Sequence, residues 1–273
     1  MVSSVPAKVP DAMSTINLTC LGTGDGHPSV ERSHSAFLYE SGGATVLMDC
    51  GEPVMRNLKQ RGMSPDAIDR VFLSHLHSDH LGGFFMLIQG FWLGKREQPL
   101  TVHLPAEGLE PVRRLLRAAY LFDGLLPFEL RFETWQDAAP VSLGGLTVTP
   151  HCNTHLEWLR ENYQSKYPDQ AFEAFSFTLE ANGKRAAHSA DIGQLSDLDV
   201  LLAQPLDLLV CELSHLEPAD LFEYLAGRSI GRVVFTHVSQ RHWRGETALR
   251  ELADKQLGNL PHVFAVDGEE ISL

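Results

Sequence analysis

The sequence predicts an α/β fold: one domain over residues 1–273, built from two β/α halves that span about 14–140 and about 141–273. Short runs rich in Val, Leu and Phe alternate with helical patterns along the chain. The same alternation occurs in both halves, and 273 residues are enough to form one large core. Two β/α layers stacked face to face, an αβ/βα sandwich, fit this order of elements.

Apolar runs of four to six residues predict the strands. They fall at 16–21, 36–39, 45–48, 70–73 and 100–103 in the first half, and at 146–149, 175–179, 185–188, 206–211 and 232–235 in the second. Apolar residues at helical spacing predict helices at 53–62, 82–93, 109–121, 194–203, 217–226 and 246–255. The polar connector 158–170 is predicted to be a loop or a short helix.

Residues 74–80 hold three imidazoles and one carboxylate: they read Ser-His-Leu-His-Ser-Asp-His directly after an apolar run. His75 and His77 point the same way from extended backbone, so they can share one ion. Asp79 and His80 follow the turn, where a helix begins, and can reach a second ion. Imidazole and carboxylate together suit Zn²⁺ best, with Mn²⁺ and Fe²⁺ as alternatives. The sequence therefore predicts a metal site.

A site for two metals needs about seven protein ligands, so the segment must be completed from elsewhere in the chain. Candidates lie where predicted strands end. Asp191 follows 185–188, His237 follows 232–235, and both His151 and His155 follow 146–149. Spacing alone leaves His151 and His155 both open. The carboxylate of Asp191 suits a bridging position, since each of its oxygens can bind one cation.

Composition limits the kinds of binding partner and the cellular compartment that we expect for this protein. The 35 acidic and 22 basic residues give a net charge of −13, and the basic residues are scattered, which argues against a large nucleic-acid surface. The four cysteines have no Cys-x-x-Cys spacing and are predicted to be buried free thiols. We find no signal-peptide pattern in residues 1–13 and no membrane-span pattern in the sequence, so a soluble, cytoplasmic protein is predicted.

The motifs together resemble the metallo-β-lactamase superfamily, and within it the ribonuclease Z branch of phosphodiesterases. Residues 21–24 with Pro28 and Arg32 resemble the opening loop of that branch, 48–52 its Asp-Cys-Gly-Glu segment, and 74–83 its His-x-His-x-Asp-His motif. Residues 148–150 followed by His155, then 189–193 and 236–241, resemble its later motifs, and 265–268 resembles its closing strand. The resemblance implies the four-layer αβ/βα sandwich of the metallo-β-lactamase type.

The resemblance also implies roles for the candidate residues. His75, His77 and His155 would hold one divalent metal, Asp79, His80 and His237 would hold the other, and Asp191 would bridge the two. The family comparison thus favours His155 over His151. Asp49 would lie behind the ligands, where a carboxylate fixes the tautomer of a ligand histidine; without the resemblance, a turn-forming role is as good an explanation. The implied chemistry is hydrolysis by a metal-bridged hydroxide, with Asp79 serving catalysis as well as metal binding.

Two departures from the branch affect the predicted substrate and mechanism. The basic arm that grips tRNA is missing, and residues 156–184 in its place are acidic rather than basic, which argues against tRNA as substrate. Glu212 matches the glutamate of a strand-end Glu-Ala-Thr motif, but 221–230 lacks the histidine that pairs with it. His215 is the nearest replacement as proton donor, with a surface histidine as the alternative. His242 is a further candidate to face the substrate.

The sequence therefore predicts a dinuclear metal-dependent hydrolase, a ribonuclease Z-like phosphodiesterase acting on a small or short substrate. One alternative is a lactonase or other carboxylic-ester hydrolase with the same metal core in a more apolar pocket. An alternative of another class is an inactive metal-binding sensor of a metabolite, against which the large ligand set argues. The branch commonly forms homodimers, and the helix predicted at 82–93 would offer an interface.

Overall fold

The computed structural model describes residues 15–243 and 245–273. The first half contains β1 (Asn17–Gly22), β2 (Ala36–Ser41), β3 (Ala44–Met48), α1 (Val54–Gln60), β4 (Arg70–Phe72), α2 (Ser78–Leu81), α3 (Phe84–Leu93), β5 (Leu100–Leu104), α4 (Leu109–Ala118) and β6 (Leu130–Thr134). The second half contains β7 (Val141–Leu143), β8 (Leu146–Cys152), α5 (Glu157–Tyr163), β9 (Phe175–Ala181), β10 (Lys184–His188), β11 (Leu208–Leu213), α6 (Pro218–Leu225), β12 (Val233–Val238), α7 (Gln240–Trp243), α8 (Glu246–Leu257), β13 (His262–Phe264) and β14 (Glu270–Ser272).

The strands form two seven-stranded mixed sheets, with the orders β14-β1-β2-β3-β4-β5-β6 and β13-β12-β11-β10-β9-β8-β7. Strands β3 to β6 are parallel to one another in the first sheet, as are β10 to β13 in the second. The last strand, β14, joins the sheet of the other half by pairing antiparallel with β1. The α/β sandwich predicted from the sequence is confirmed.

Three apolar clusters hold the layers together. The central cluster packs side chains of both sheets against each other, among them Phe37, Phe72 and Phe177, each at most 1% exposed. The second cluster lies under α1, α3 and α4 on the outer face of the first sheet, and the third lies under α6 and α8 on the outer face of the second. Between the sheets, the ring nitrogen Nδ1 of His188 lies 3.0 Å from the Tyr39 hydroxyl, so this buried polar pair is satisfied.

Several local predictions were wrong. The helix predicted at 194–203 is two short 3₁₀ turns, of which the first begins with a capping box between Gln194 and Asp197. Residues 265–268 lie between β13 and β14 and form no strand. The predicted helix at 82–93 begins only at Phe84; the N–H of Gly83 donates to the carbonyl of Cys50 at 2.7 Å and not to a carbonyl of a preceding helical turn.

Other sequence predictions had mixed outcomes. The polar connector after His155 contains the short helix α5, one of the two options predicted for it. Cys20, Cys50 and Cys211 are buried free thiols as predicted, whereas Cys152, at the end of β8, is exposed. Among the described residues we find no helix long and apolar enough to cross a membrane.

Candidate metal centre

The predicted site residues meet where strands of both sheets end. Asp49 follows β3, the segment 74–80 follows β4, Asp191 follows β10, and His215 follows β11. His237 lies near the end of β12, and Glu212 near the end of β11. Parallel neighbours end at the same edge of a sheet, so residues far apart in sequence are brought together there. His155 joins them from the connector after β8.

The first cluster consists of His75, His77, His155 and Asp191, whose ligand atoms all lie within 4.8 Å of one another. His77 Nδ1 lies 3.0 Å from His75 Nε2 and 3.1 Å from His155 Nε2. Asp191 Oδ2 lies 3.9 Å from His75 Nε2 and 3.7 Å from His155 Nε2. Three imidazole nitrogens and one carboxylate oxygen therefore surround a common point.

The second cluster consists of Asp79, His80, Asp191 and His237, all buried. Asp79 Oδ2 lies 3.4 Å from His80 Nε2 and 3.1 Å from His237 Nε2. Asp191 Oδ1 lies 3.3 Å from His80 Nε2 and 3.4 Å from His237 Nδ1. Asp191 thus presents Oδ2 to the first cluster and Oδ1 to the second.

The two clusters fit divalent cations. Four ligands around a tetrahedral ion at about 2.0–2.1 Å stand about 3.3 Å from one another. The separations in the first cluster bracket this value, and those in the second are 3.3–3.4 Å when His237 offers Nδ1, its Nε2 then pairing with Asp79. Three buried polar atoms of the second cluster, His80 Nε2, Asp191 Oδ1 and His237 Nδ1, have no hydrogen-bond partner. Leaving a buried polar atom unsatisfied costs about 1–3 kcal/mol, and an ion among these atoms would remove that cost.

The histidines of the first cluster are in the neutral form that binds metals. Burial lowers the pKa of His75 far below its usual value and lowers that of His155 to about 3, despite the nearby Asp191. Burial also lowers the pKa of His77. An imidazole must be deprotonated to bind a cation, so this cluster needs to release no proton when an ion enters.

The second cluster has the opposite electrostatics. Burial opposes protonation of His80 and His237, but the surrounding carboxylates, above all Asp191, raise the pKa of both. Burial likewise opposes ionisation of Asp79, yet hydrogen bonding with His237 and His80 holds the pKa of that carboxyl far below its usual value. Protons therefore compete with cations for this cluster.

Asp49 and Ser74 lie behind the histidines of the two clusters. The Asp49 carboxylate accepts hydrogen bonds from Ser74 N (2.8 Å) and Ser74 Oγ (2.9 Å), and its Oδ2 lies 2.7 Å from His80 Nδ1. Ser74 Oγ also lies 3.0 Å from His75 Nδ1. One carboxylate thus orients a histidine of each cluster, directly for His80 and through Ser74 for His75. Sequence reasoning missed Ser74, although it immediately precedes His75.

Asn153 is a second residue that sequence reasoning missed. Its Nδ2 donates to the carbonyl of Asp191 at 3.0 Å, and its Oδ1 accepts from the backbone N–H of His155 at 3.0 Å. It therefore ties the backbone of Asp191 to that of His155. We find no pattern in the sequence that would have identified it.

The remaining candidates divide between the site and its surroundings. His215 Nδ1 lies 3.0 Å from Glu212 Oε1 and 3.8 Å from Asp191 Oδ2, so this pair borders both clusters. His151 is part of β8, and its Nε2 lies 3.1 Å from Thr178 Oγ1, outside both clusters. His242 lies in α7, where its Nδ1 is 3.0 Å from Ser239 Oγ.

Known proteins are similar to this chain in sequence and in fold. Residues 16–196 match the family described as "Anti-Pycsar protein Apyc1". The chain is 34% identical over 131 residues to ribonuclease Z of Bradyrhizobium diazoefficiens, a match that covers 48% of this chain and 43% of that protein. The chain thus spans less than half the length of this relative. The resemblance to ribonuclease Z is confirmed.

Two solved structures are similar over nearly the full chain. YhfI from Bacillus subtilis, a metallo-β-lactamase fold protein, superimposes with a TM-score of 0.75 at 18% identity, covering 95% of this chain and 99% of YhfI. A diphosphatase of the PhnP family gives a TM-score of 0.69 at 16% identity, covering 95% of this chain and 97% of the diphosphatase. These similarities confirm the predicted metallo-β-lactamase fold. Because the family match extends over more than half of its residues, the chain belongs to the Apyc1 family of anti-Pycsar proteins.

Proposed function

We propose that this protein is a dinuclear metal-dependent hydrolase that cleaves a phosphodiester in a small or short substrate. The observation that carries the proposal is Asp191, whose two oxygens face two separate clusters of ligands. His75, His77 and His155 would hold one cation and Asp79, His80 and His237 the other, with Asp191 between them. Zn²⁺ suits this mixture of imidazole and carboxylate best.

Two bound cations would lower the pKa of a water nucleophile and stabilise the charge that develops on the phosphoryl oxygens. The protein's own part is to hold the ligands in place. Asn153 fixes the backbone of Asp191, and Asp49 Oδ2 accepts a hydrogen bond from Nδ1 of His80. Asp49, Ala190 and His237 have positive φ values, of 61°, 47° and 50°, so the backbone at this centre includes left-handed positions that neighbouring contacts must hold.

We assign His215 as the residue that donates a proton to the leaving group. The Glu212 carboxylate is held by backbone N–H groups of Ile192, Ser214 and His215, and it pairs with His215 Nδ1. The His215 side chain is 36% exposed, whereas those of Glu212 and Asp191 are at most 3% exposed. Burial opposes its protonation, but the bond to Glu212 raises its pKa to about 9. His215 is therefore protonated at pH 7 and accessible, as a proton donor to a leaving oxygen must be.

A small or short substrate fits the surroundings of the centre. The connector between β8 and β9 is the short helix α5 with its flanking turns, and its residues 156–174 carry more acidic than basic side chains. The chain as a whole has a net charge of −13. A long polyanion such as tRNA would be repelled along this surface, whereas a compact phosphodiester needs only the centre itself. A cytoplasmic location and a homodimer stay predictions.

The first experiment combines elemental mass spectrometry of the purified protein with turnover of bis(p-nitrophenyl) phosphate, with and without chelator. We expect about two metal equivalents per chain and cleavage that the chelator abolishes. His155→Ala should lose metal and activity. Its matched control is His151→Ala, which removes a histidine from the same region outside the clusters and should behave like the wild type.

The other outcomes identify the alternatives. A full metal load without phosphodiester cleavage, but with hydrolysis of a lactone, would replace the proposal with an ester hydrolase. If the fully metal-loaded protein binds metabolites without turning them over, the result would point to a sensor. Little metal, or wild-type metal content in His155→Ala, would contradict the assigned site.

A further inference from the structure

A chain of hydrogen bonds connects the C-terminal turn to the second cluster. Asp267 lies in the turn between β13 and β14, and its Oδ1 accepts hydrogen bonds from Thr23 N (3.0 Å) and Thr23 Oγ1 (2.8 Å). Its Oδ2 accepts a hydrogen bond from Ser33 N at 2.6 Å. Thr23 is fully buried, so this carboxylate determines where the loop after β1 lies.

The carbonyl of Thr23 holds the backbone of His237. It accepts the N–H of His237 at 3.0 Å, and the next residues of the two segments, Gly24 and Val238, form a parallel bridge. His237 lies at a shift of register between β11 and β12, where Glu212 pairs with Thr236 and Leu213 pairs with Val238. The extra residue in β12 is therefore His237 itself.

The backbone of His237 needs such a restraint. Its φ of 50° is a left-handed conformation, which costs a residue other than glycine about 1–3 kcal/mol and persists only where neighbouring contacts impose it. In this conformation the ring reaches Asp79 and Asp191. Return to an extended φ would rotate the side chain away from both carboxylates.

Arg32 anchors the same loop from a second direction. Its Nη1 donates hydrogen bonds to Thr23 Oγ1 (2.7 Å) and to the carbonyl of Ala265 (2.6 Å). Its guanidinium carbon lies 3.3 Å from the ring centroid of Trp243, in a cation–π contact. Thr23 Oγ1 thus donates to Asp267 and accepts from Arg32, which leaves the residue no alternative orientation.

We infer that Asp267 is a positioning residue for the second metal, acting through Thr23 on His237. The inference rests on the proposed function, because it concerns one of the two cations. The connection ends at His237, which belongs to the second cluster and not to the first; the histidines of the first cluster lie in the segment after β4 and in the connector after β8. Loss of Asp267 should therefore weaken one metal site and spare the other.

The test is Asp267→Asn in the full chain. The substitution keeps the shape of the side chain but turns an amide nitrogen toward the N–H of either Thr23 or Ser33, so one donor loses its acceptor. Zinc affinity is measured by competition with a chromophoric chelator, beside the unfolding midpoint of the metal-free protein. We expect the second equivalent to bind at least about 10-fold more weakly, the effect typical of residues behind metal ligands, and the first to bind unchanged.

Two further variants make the result specific. Glu269→Gln removes the same charge two residues later, where the carboxylate makes no hydrogen bond with the described residues, and it should keep both affinities. Thr23→Val removes the two hydrogen bonds of the hydroxyl, to Asp267 and from Arg32. It keeps the backbone bonds to Asp267 and His237, so it should weaken the second site less than Asp267→Asn does.

Either of two results in Asp267→Asn would overturn the inference: wild-type affinity at both sites, or an equal loss at both sites together with a lower unfolding midpoint, which would indicate a general structural role. A wild-type chain that binds fewer than two equivalents would instead overturn the proposed function, and this inference with it.

Discussion

Replacement of Asp49 by Asn should weaken metal binding at both clusters without disturbing the fold. Asp49 is fully buried, and its carboxylate serves Ser74 N, Ser74 Oγ and His80 Nδ1 at 2.7–2.9 Å. Its φ of 61° lies in the left-handed region, which Asn tolerates as well as Asp does. The substitution therefore changes the charge and the hydrogen bonding and leaves backbone strain as it was.

The magnitude follows from the three contacts. An amide presents one oxygen and one NH₂ group, so one of the two sides must face a donor. If the amide oxygen faces His80 and Ser74 Oγ, the N–H of Ser74 loses its acceptor. In the opposite orientation, His80 Nδ1 and Ser74 Oγ lose theirs. A hydrogen bond to a charged group contributes about 1.5–3 kcal/mol. A loss of this size corresponds to about a 10- to 100-fold weaker affinity, the range typical of residues behind metal ligands.

The assay is competition for Zn²⁺ against a chelator dye, with circular dichroism to check the fold. Asp66→Asn is the matched control, because that carboxylate also accepts two backbone N–H groups, from Glu97 and Gln98, and belongs to neither cluster. We expect both affinities to fall in Asp49→Asn, since Ser74 also contacts His75. Wild-type affinity at both sites would refute the assignment of Asp49 as the residue that orients His80.

Three other predictions follow from the same geometry. Asp191→Ala removes the ligand shared by both clusters, so both metals and all hydrolysis should be lost; metal retained in elemental mass spectrometry would contradict this. Because His215 must carry a proton to donate it, kcat/KM should fall as the pH rises through the pKa of His215. That pKa is raised to about 9 in the protein without metal, and bound cations would lower it. His215→Gln should lower the rate about 10²- to 10⁴-fold and abolish this alkaline decline; an unchanged profile would exclude the donor role. Phe177→Ala opens a cavity between the sheets and should lower the free energy of unfolding in urea by about 3–5 kcal/mol, whereas Tyr120→Ala at a 75% exposed position should change it by less than about 0.5 kcal/mol.

Local patterns in the sequence determined the fold class and the chemical type of the site. Apolar runs such as 71–73 predict strands wherever they occur, and polar side chains that follow such runs must lie at an edge of the sheet. The segment 74–80 holds four side chains of the types that bind metals within seven residues, so its chemistry is visible without any distant contact. Strand β6 was missed although Leu130 and Phe132 alternate with polar residues as in a strand, because the segment contains no continuous apolar run. In the structure it pairs with β5.

Spacing in the sequence did not decide which residues meet; the family resemblance implied the two groups, and only the tertiary structure brings their side chains together. His151 and His155 follow the same apolar run, but β8 extends to Cys152, so His151 pairs with Ser176 in the sheet while His155 lies beyond the strand and reaches the first cluster. Asp267 and Thr23 are 244 positions apart, and Ser74 contacts Asp49 across two neighbouring strands. Periodicity and composition act over a few residues, whereas these contacts depend on the strand order of both sheets. The sequence by itself therefore predicted the ligand types, and the packing of the two halves arranged them around two centres.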